Sequence, residues 1–160
     1  MTLTKAQRAV LAEMARTGLP LAYHGGICKV GEKVTTVPLR RALLDAGMVC
    51  AADDPEGALP VLYNTPLALT DAGRTEGERE LAATGGAPFG WVRFGEVARD
   101  RCGEQAQYAA RAIDGRCDYP HLGAGLRFRG DPRNWHFVLI HADDVETFVE
   151  RWKANEEQGR

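Results

Sequence analysis

The sequence lacks any apolar run close to the roughly 18–20 residues that a helix needs to cross a bilayer. Its N-terminal segment, MTLTKAQRAVLAEM, also lacks the apolar stretch and small-residue cleavage site of a secretory signal. We therefore expect a cytoplasmic protein with no membrane partner. At 160 residues, with 44% hydrophobic and 26% charged residues, the composition is ordinary for one globular domain or two small ones.

Cysteine is scarce, and no two cysteines form a CxxC pair; the four are Cys28, Cys50, Cys102 and Cys117. Because intracellular chains seldom keep structural disulfides, we predict buried free thiols. The candidate ligands for a zinc site are Cys102, Cys117 and His121, with His24 and Cys28 as further candidates. The spacings match no standard zinc motif, so we predict neither a metal nor a cofactor.

Catalytic signatures are missing too: the sequence has no GxSxG, no HExxH and no phosphate-cradling glycine pattern. The acid pair Asp53-Asp54 lies in a predicted turn, and Asp143-Asp144 lies at the start of a predicted helix. We predict that the protein is not an enzyme.

Charge, by contrast, is strongly segregated along the chain. Residues 1–41 carry a net charge of +5 and residues 42–87 a net charge of −6, followed by +2 over 91–140 and −3 over 141–160. A basic face attracts a polyanion because neutralising phosphates releases counterions. The overall pI of about 6.1 is nevertheless lower than is usual for a stand-alone DNA-binding domain.

The first half opens with a clear helix, which Thr4 and Gln7 begin as a capping box and Gly18 ends. The sequence then predicts, in order, turns and short extended pieces over 19–34, a helix over 36–46, a strand at 48–50, a polar turn at 52–57, a returning strand over 59–69 and a helix from Thr70-Asp71. The Gly-Pro stretch at 85–89 predicts a linker, since it cannot continue a helix.

The second half predicts helices at 94–101 and 104–115, strands at 125–129 and 134–140, and a last helix. Asp143 and Glu146 have the spacing of a capping box for that last helix. Its apolar positions recur at helical spacing: Val145, Phe148, Val149 and Trp152. The three tryptophans, Trp91, Trp135 and Trp152, favour packing in the core and the hairpin over a base-stacking platform.

The segments FGEVARD, GEQAQYAARAIDG and GLRFRGDPRNWHFVLIHADDVETFVERW follow one another in the order helix, helix, hairpin, helix. This half resembles the winged helix-turn-helix of the excisionase and MerR-like families, although its loop at 116–124 is longer. More distantly, VPLRRALLDAGMV and LALTDAGR resemble the recognition helix, wing and closing helix of MarR-type regulators. That resemblance lacks a second helix in the stretch 19–34.

The resemblance implies DNA binding, because a helix fits the major groove and a hairpin beside it reaches phosphates or the minor groove. We expect the contacts to come from ten residues gathered on one ridge: Lys29, Lys33, Arg40 and Arg41 in the first half, and Gln107, Tyr108, Arg111, Arg127, Arg129 and Arg133 in the second. Arginines on a hairpin are also often a solvated face, and winged helices are reused for protein contacts.

The sequence therefore predicts an α+β chain of two small winged-helix-like modules in tandem, over 1–84 and 90–160, joined by the linker 85–89. Its predicted function is that of a small DNA-binding regulator of phage or mobile-element origin, with double-stranded DNA as partner and a homodimer as one possible state. The alternative is a non-enzymatic inhibitor that binds a host-defence protein or a polymerase through its acidic face.

Overall fold

The computed structural model of the chain describes residues 2–114, 120–130 and 137–159. For residues 110–114, 120 and 121 it describes the backbone only. Contacts divide the chain into two compact units, Met1–Phe89 and Gly90–Arg160. Each unit combines helices with small antiparallel sheets, which fits the predicted α+β class.

The predicted linker forms part of the first unit. Gly85 ends the preceding helix in a left-handed conformation, and the Gly86 amide donates to the carbonyl of Leu81. The Phe89 amide donates to the carbonyl of Ala15. Residues 85–89 are therefore held by hydrogen bonds to the first unit rather than free between the two.

The first unit contains three helices and five short strands. In chain order these are α1 (Lys5–Thr17), β1 (Ala22–His24), β2 (Ile27–Val30), β3 (Lys33–Thr35), α2 (Val37–Asp45), β4 (Val49–Ala51), β5 (Leu67–Leu69) and α3 (Asp71–Thr84). The capping box of Thr4 and Gln7 is confirmed, and Thr36 accepts from the Leu39 amide at the start of α2.

The stretch 19–34 forms a three-stranded antiparallel sheet in the order β1-β2-β3. A separate antiparallel pair joins β4 to β5, and Leu21 pairs with Leu67 through two backbone hydrogen bonds. The predicted returning strand over 59–69 is thus confined to 67–69. Residues 52–66 form a long loop between β4 and β5.

Helices α1 and α3 pack closely because α3 presents glycines to its neighbours. A Cβ atom added at Gly77 would lie 2.5 Å from the carbonyl oxygen of Leu11, and one at Gly73 would lie 1.8 Å from that of Met48. The core beneath is apolar, and its fully buried members are Leu11, Leu21, Cys28, Val30, Leu43 and Leu67. Burial of these side chains supplies the main stabilisation of the unit.

The second unit is built around a different sheet. Its elements in chain order are β6 (Trp91–Arg93), α4 (Phe94–Cys102), a 3₁₀ helix (Glu104–Asp114), α5 (Pro120–Gly123), β7 (Phe128–Arg129), β8 (Leu139–His141), a short 3₁₀ turn (Ala142–Asp144) and α6 (Val145–Gln158). The strands lie in the order β6-β8-β7, all antiparallel.

Strand β6 is absent from the sequence-based prediction, and it pairs along its whole length with β8, from Trp91 opposite His141 to Arg93 opposite Leu139. One face of this sheet packs on α4 and α6 in a core that contains Val92, Phe128 and Ile140. The predicted apolar stripe of α6 joins that core: Val145, Phe148, Val149 and Trp152 are all buried.

The predicted capping box at Asp143 and Glu146 is wrong. Helix α6 begins after Asp144, which makes no side-chain cap to it. The Asp143 amide instead donates to Nδ1 of His141 at 3.3 Å. Both acidic side chains that could bond back to the helix are engaged elsewhere, Asp144 with Arg127 and Glu146 with Arg101.

Candidate nucleic-acid interface

Arg40 is not placed for the phosphate contact that the sequence predicts. Its side chain is only 6% exposed, and its guanidinium donates through Nη2 to the carbonyls of Leu62 and Thr65, at 3.1 and 2.8 Å. Within the described residues its Nε has no hydrogen-bond partner. Arg40 therefore anchors the loop between β4 and β5, and it is removed from the candidate interface.

The other predicted cations of the first unit lie at its surface. Lys29 on β2 and Arg41 on α2 are exposed, and no ion pair involves either within 2–114, 120–130 and 137–159. Lys33 reaches back across the unit, where its Nζ donates to the carbonyl of Ala9 at 3.1 Å. The exposed residues of α2 itself include one cation, Arg41, and one acid, Asp45, so this helix offers a polyanion little net charge.

The predicted recognition helix of the second unit forms as the 3₁₀ helix 104–114. Gln107 is half-buried on it, and Tyr108 is 41% exposed. Arg111 belongs to the same helix, but its side chain lies outside the described residues. Arg133, predicted at the hairpin tip, falls in the stretch 131–136, which also lies outside them.

Arg127 is engaged by a carboxylate. Its Nε and Nη2 donate to the two carboxylate oxygens of Asp144 at 2.9 and 3.0 Å, and its backbone amide donates to the same carboxylate at 2.8 Å. Hydrogen bonds from Arg127 lower the pKa of Asp144 to about 2, and the pKa of Arg127 is raised in turn. The charge of this arginine is thereby largely neutralised, so the predicted ridge of cations loses Arg127 as well as Arg40.

The face of the β6-β8-β7 sheet opposite the core gathers cations and aromatic rings. Alternation along the strands places Trp91, Arg93, Arg129, Leu139 and His141 on this face. The Arg129 guanidinium carbon lies 5.0 Å from the centre of the Trp91 ring, and the His141 ring meets Trp91 edge-on with centres 5.2 Å apart. We call these residues the outer sheet face.

A second cation stacks on a second ring at this face. The Arg93 guanidinium carbon lies 5.5 Å from the centre of the Phe137 ring, which is 49% exposed. Within the described residues the buried Nε of Arg93 has no hydrogen-bond partner. Stacked guanidiniums are oriented by the rings beneath them, and the pairing of arginine with aromatic rings is suited to phosphates and bases.

Of the residues on the outer sheet face, the sequence predicted only Arg129 as a contact. Trp91 and Arg93 were missed because their strand is three residues long, too short for its alternation to stand out before a helix. The sequence signal was present in Trp91-Val92-Arg93, an alternation of outward and inward residues. Trp152 does pack in the core as predicted, whereas Trp91 is half-buried beneath Arg129; Trp135 lies outside the described residues.

A contrasting surface lies on the first unit, on the loop 52–66, which we call the apolar loop. Four large apolar side chains are exposed there by 40% or more: Leu59, Val61, Leu62 and Tyr63. Asp54 accepts from the Leu59 amide at 2.5 Å, and Thr65 accepts from the Leu62 amide at 3.0 Å. With the Arg40 contacts, these bonds fix the loop while its apolar side chains face solvent.

The cysteines and histidines assemble no metal centre within the part of the chain that the structure describes. Cys28 is buried, Cys50 and Cys102 are half-buried, and all three are free thiols, while Cys117 lies outside the described residues. Burial raises the pKa of Cys28 and of Cys102, which favours the unreactive thiol over the thiolate. Among the described residues, no helix has the length and apolar character to span a membrane.

In comparisons with known proteins, no family model, no curated protein and no solved structure matches the chain.

Proposed function

We propose that the protein is a small DNA-binding regulator and that its second unit carries the nucleic-acid interface. The observation that carries the proposal is the stacking of Arg129 on Trp91, with His141 against the same ring, on the outer sheet face. Exposed cations over aromatic rings provide both charge for phosphates and flat surfaces for bases.

The order of elements supports a winged-helix reading of both units. In the second unit α4, the 3₁₀ helix 104–114, the hairpin strands and α6 follow in the order of a winged helix-turn-helix. In the first unit α2 is followed by the antiparallel pair β4 and β5, and Leu21 pairs with β5. The three-stranded β1–β3 sheet stands where such folds place their second helix. We therefore propose that the two units are winged helices in tandem.

Under this proposal the helix 104–114 enters the major groove with Gln107 and Tyr108, and the outer sheet face binds the neighbouring phosphates. The first unit contributes less to DNA binding, because Arg40 is internal and the loop in the position of its wing is acidic and apolar. No Lys or Arg occurs between Arg41 and Arg74.

The test is fluorescence anisotropy with a labelled random-sequence duplex, repeated at several salt concentrations. We expect the logarithm of the affinity to fall linearly with the logarithm of salt. Arg129→Gln should weaken binding and flatten that slope by about one unit. Arg41→Gln is the matched control, since it removes an exposed guanidinium from the first unit. Absence of binding at low salt, or equal effects of the two variants, would contradict the proposal.

A second candidate function, capture of another protein by the first unit, is favoured by the apolar loop. Its exposed apolar side chains lie beside Asp53, Asp54 and Glu56, a surface that suits a basic and apolar protein partner and repels DNA. A protein without affinity for duplex DNA at low salt would favour this candidate.

A further inference from the structure

We propose that the outer sheet face binds single-stranded DNA by stacking unpaired bases on its planar side chains; this rests on the proposed function, in which the second unit carries the nucleic-acid interface. In that function the helix 104–114 contacts the bases of a duplex, and the outer sheet face reaches only the phosphates. A single strand gives the ring and guanidinium planes of the same face a ligand of their own.

Two stacked pairs of planar side chains form the outer sheet face, and their exposure shows which member of each pair faces solvent. Arg129 is exposed and Trp91 is half-buried, so the guanidinium is the outer member of the pair separated by 5.0 Å. Phe137 is exposed and Arg93 is half-buried, so the ring is the outer member of the pair separated by 5.5 Å. Unpaired bases stack on both kinds of plane, the guanidinium and the aromatic ring.

The sheet holds these planes in place before any ligand binds. His141 meets the Trp91 ring edge-on, with ring centres 5.2 Å apart and an angle of 76° between the ring planes. Arg93 on β6 and Arg129 on β7 both lie opposite Leu139 of the central strand β8. Because neighbouring strands fix both pairs, little side-chain freedom is lost when a base stacks on them.

Arg93 keeps hydrogen-bond donors for a phosphate. Within the described parts of the chain, its guanidinium forms no ion pair with a carboxylate, and its Nε has no hydrogen-bond partner. Acceptors of the described protein therefore do not saturate this guanidinium. A guanidinium with unused N–H groups beside a stacked base suits the phosphate oxygens of the same strand.

The acids at the border of the face are met by Arg127. Asp144 accepts hydrogen bonds from Arg127, and its pKa, lowered to about 2, keeps it ionised. Asp143 lies 3.8 Å from the same guanidinium. With Arg93 and Arg129, the described residues of the face and its border carry three arginines against two carboxylates. Since this excess of positive charge is small, stacking of bases contributes more to binding than phosphate contacts do.

A duplex cannot stack its bases on these planes. Base pairs in a duplex stack on one another, so only their edges and the phosphates face a protein. The major groove, about 12 Å wide, admits a helix or a two-stranded ribbon. Three strands at a spacing of about 4.8 Å span about 10 Å before their side chains are counted, so the β6-β8-β7 sheet does not fit the groove face-on. The planes of the outer sheet face therefore suit the faces of unpaired bases.

The experiment measures fluorescence anisotropy of the full chain with a labelled oligodeoxyuridine of about 12 nucleotides, which does not pair with itself. An abasic strand of the same length keeps the phosphates and removes the bases. We expect the abasic strand to bind about tenfold more weakly or worse, because it cannot stack. Equal affinities of the two strands, or no binding of oligodeoxyuridine at low salt, would overturn the proposal.

A labelled duplex in the same buffer distinguishes this proposal from the proposed function. Binding of the duplex without binding of the single strand would refute the stacking proposal and leave the proposed function standing. Binding of the single strand without the duplex would support stacking on the outer sheet face and contradict a duplex-binding regulator. If neither binds, both proposals fail.

Phe137→Leu removes the exposed ring of the outer sheet face and keeps an apolar side chain. It should weaken binding of oligodeoxyuridine by about five- to hundredfold, the effect of losing one stack of a base on an aromatic ring, and leave the affinity for the abasic strand unchanged. Tyr63→Leu is the matched control, because it removes a ring that is 70% exposed on the apolar loop of the first unit. Equal effects of the two variants would count against the proposal. Circular dichroism verifies that both variants keep the fold.

An oligouridine of the same length tests the assignment to DNA, because it differs from oligodeoxyuridine only in its 2′-hydroxyls. Binding of oligouridine that is no tighter supports DNA as the ligand. Tighter binding of oligouridine would overturn the assignment to DNA in favour of RNA.

Discussion

Replacing Arg40 by methionine tests the idea that this arginine holds the apolar loop. Methionine keeps an unbranched apolar stem in the buried position but cannot donate to the carbonyls of Leu62 and Thr65. A hydrogen bond from a charged donor contributes about 1.5–3 kcal/mol. Arg40→Met removes two such hydrogen bonds, although the carbonyl of Leu62 still accepts a hydrogen bond from the Thr65 amide.

The loss is offset by the desolvation of the guanidinium, which has no carboxylate partner among the described residues. We therefore expect Arg40→Met to destabilise the first unit by about 2 kcal/mol, which lowers the Tm of a domain of this size by about 8–16 °C. Arg40→Lys should destabilise at least as much, because it retains a buried charge on a shorter side chain that does not reach the position of Nη2, the atom that donates to both carbonyls.

The assay combines thermal unfolding with backbone hydrogen exchange. Exchange should accelerate in residues 52–66 of the Arg40→Met variant, while α4 and α6 of the second unit keep their protection. The reasoning is refuted if exchange in the loop is unchanged, or if Arg40→Met is as stable as the wild type.

Further predictions concern pH and helix packing. The pKa of Asp144 is lowered to about 2 from its ordinary 3.8, so its contribution to stability is complete above about pH 4 and disappears toward pH 2. Asp144→Asn should flatten the acid dependence of the second unit's urea midpoint between those values, and an unchanged dependence would contradict the pairing with Arg127. Gly73→Ala should lower the thermal midpoint by crowding the Met48 carbonyl, at a cost of about 1–3 kcal/mol, although alanine is the better helix former. Ala83→Gly, on the exposed side of the same helix, measures the propensity effect alone.

Sequence predicted the helices of this chain better than its strands, since helix signals are local. The capping box of Thr4 and the cap at Thr36 lie within four residues of the backbone groups that they satisfy. The apolar stripe of α6 likewise repeats within one element. The strand expected over 59–69 failed because Leu62 and Thr65 bond to each other in a turn and direct their carbonyls to Arg40, a contact across more than twenty residues.

The arginines predicted to contact DNA also show that local sequence does not determine long-range contacts. Arg40 and Arg41 are adjacent residues of the same type, yet Arg40 is buried beneath the loop and Arg41 is exposed. Arg127 and Arg129 are two residues apart, yet the first is bound by Asp144 and the second stacks on Trp91. Each outcome is decided by a partner from another element, which no spacing within the hairpin or helix encodes.

Opposite surface chemistry on the two units argues for a division of roles. The loop that follows β4 has acids and exposed apolar side chains, so its approach to a phosphate backbone is repelled and its apolar groups would remain unburied there. The sheet of the second unit presents two guanidiniums stacked on aromatic rings, an arrangement suited to phosphates and bases. We therefore propose that a polyanion is attracted to the second unit and that a basic, partly apolar protein surface is attracted to the first.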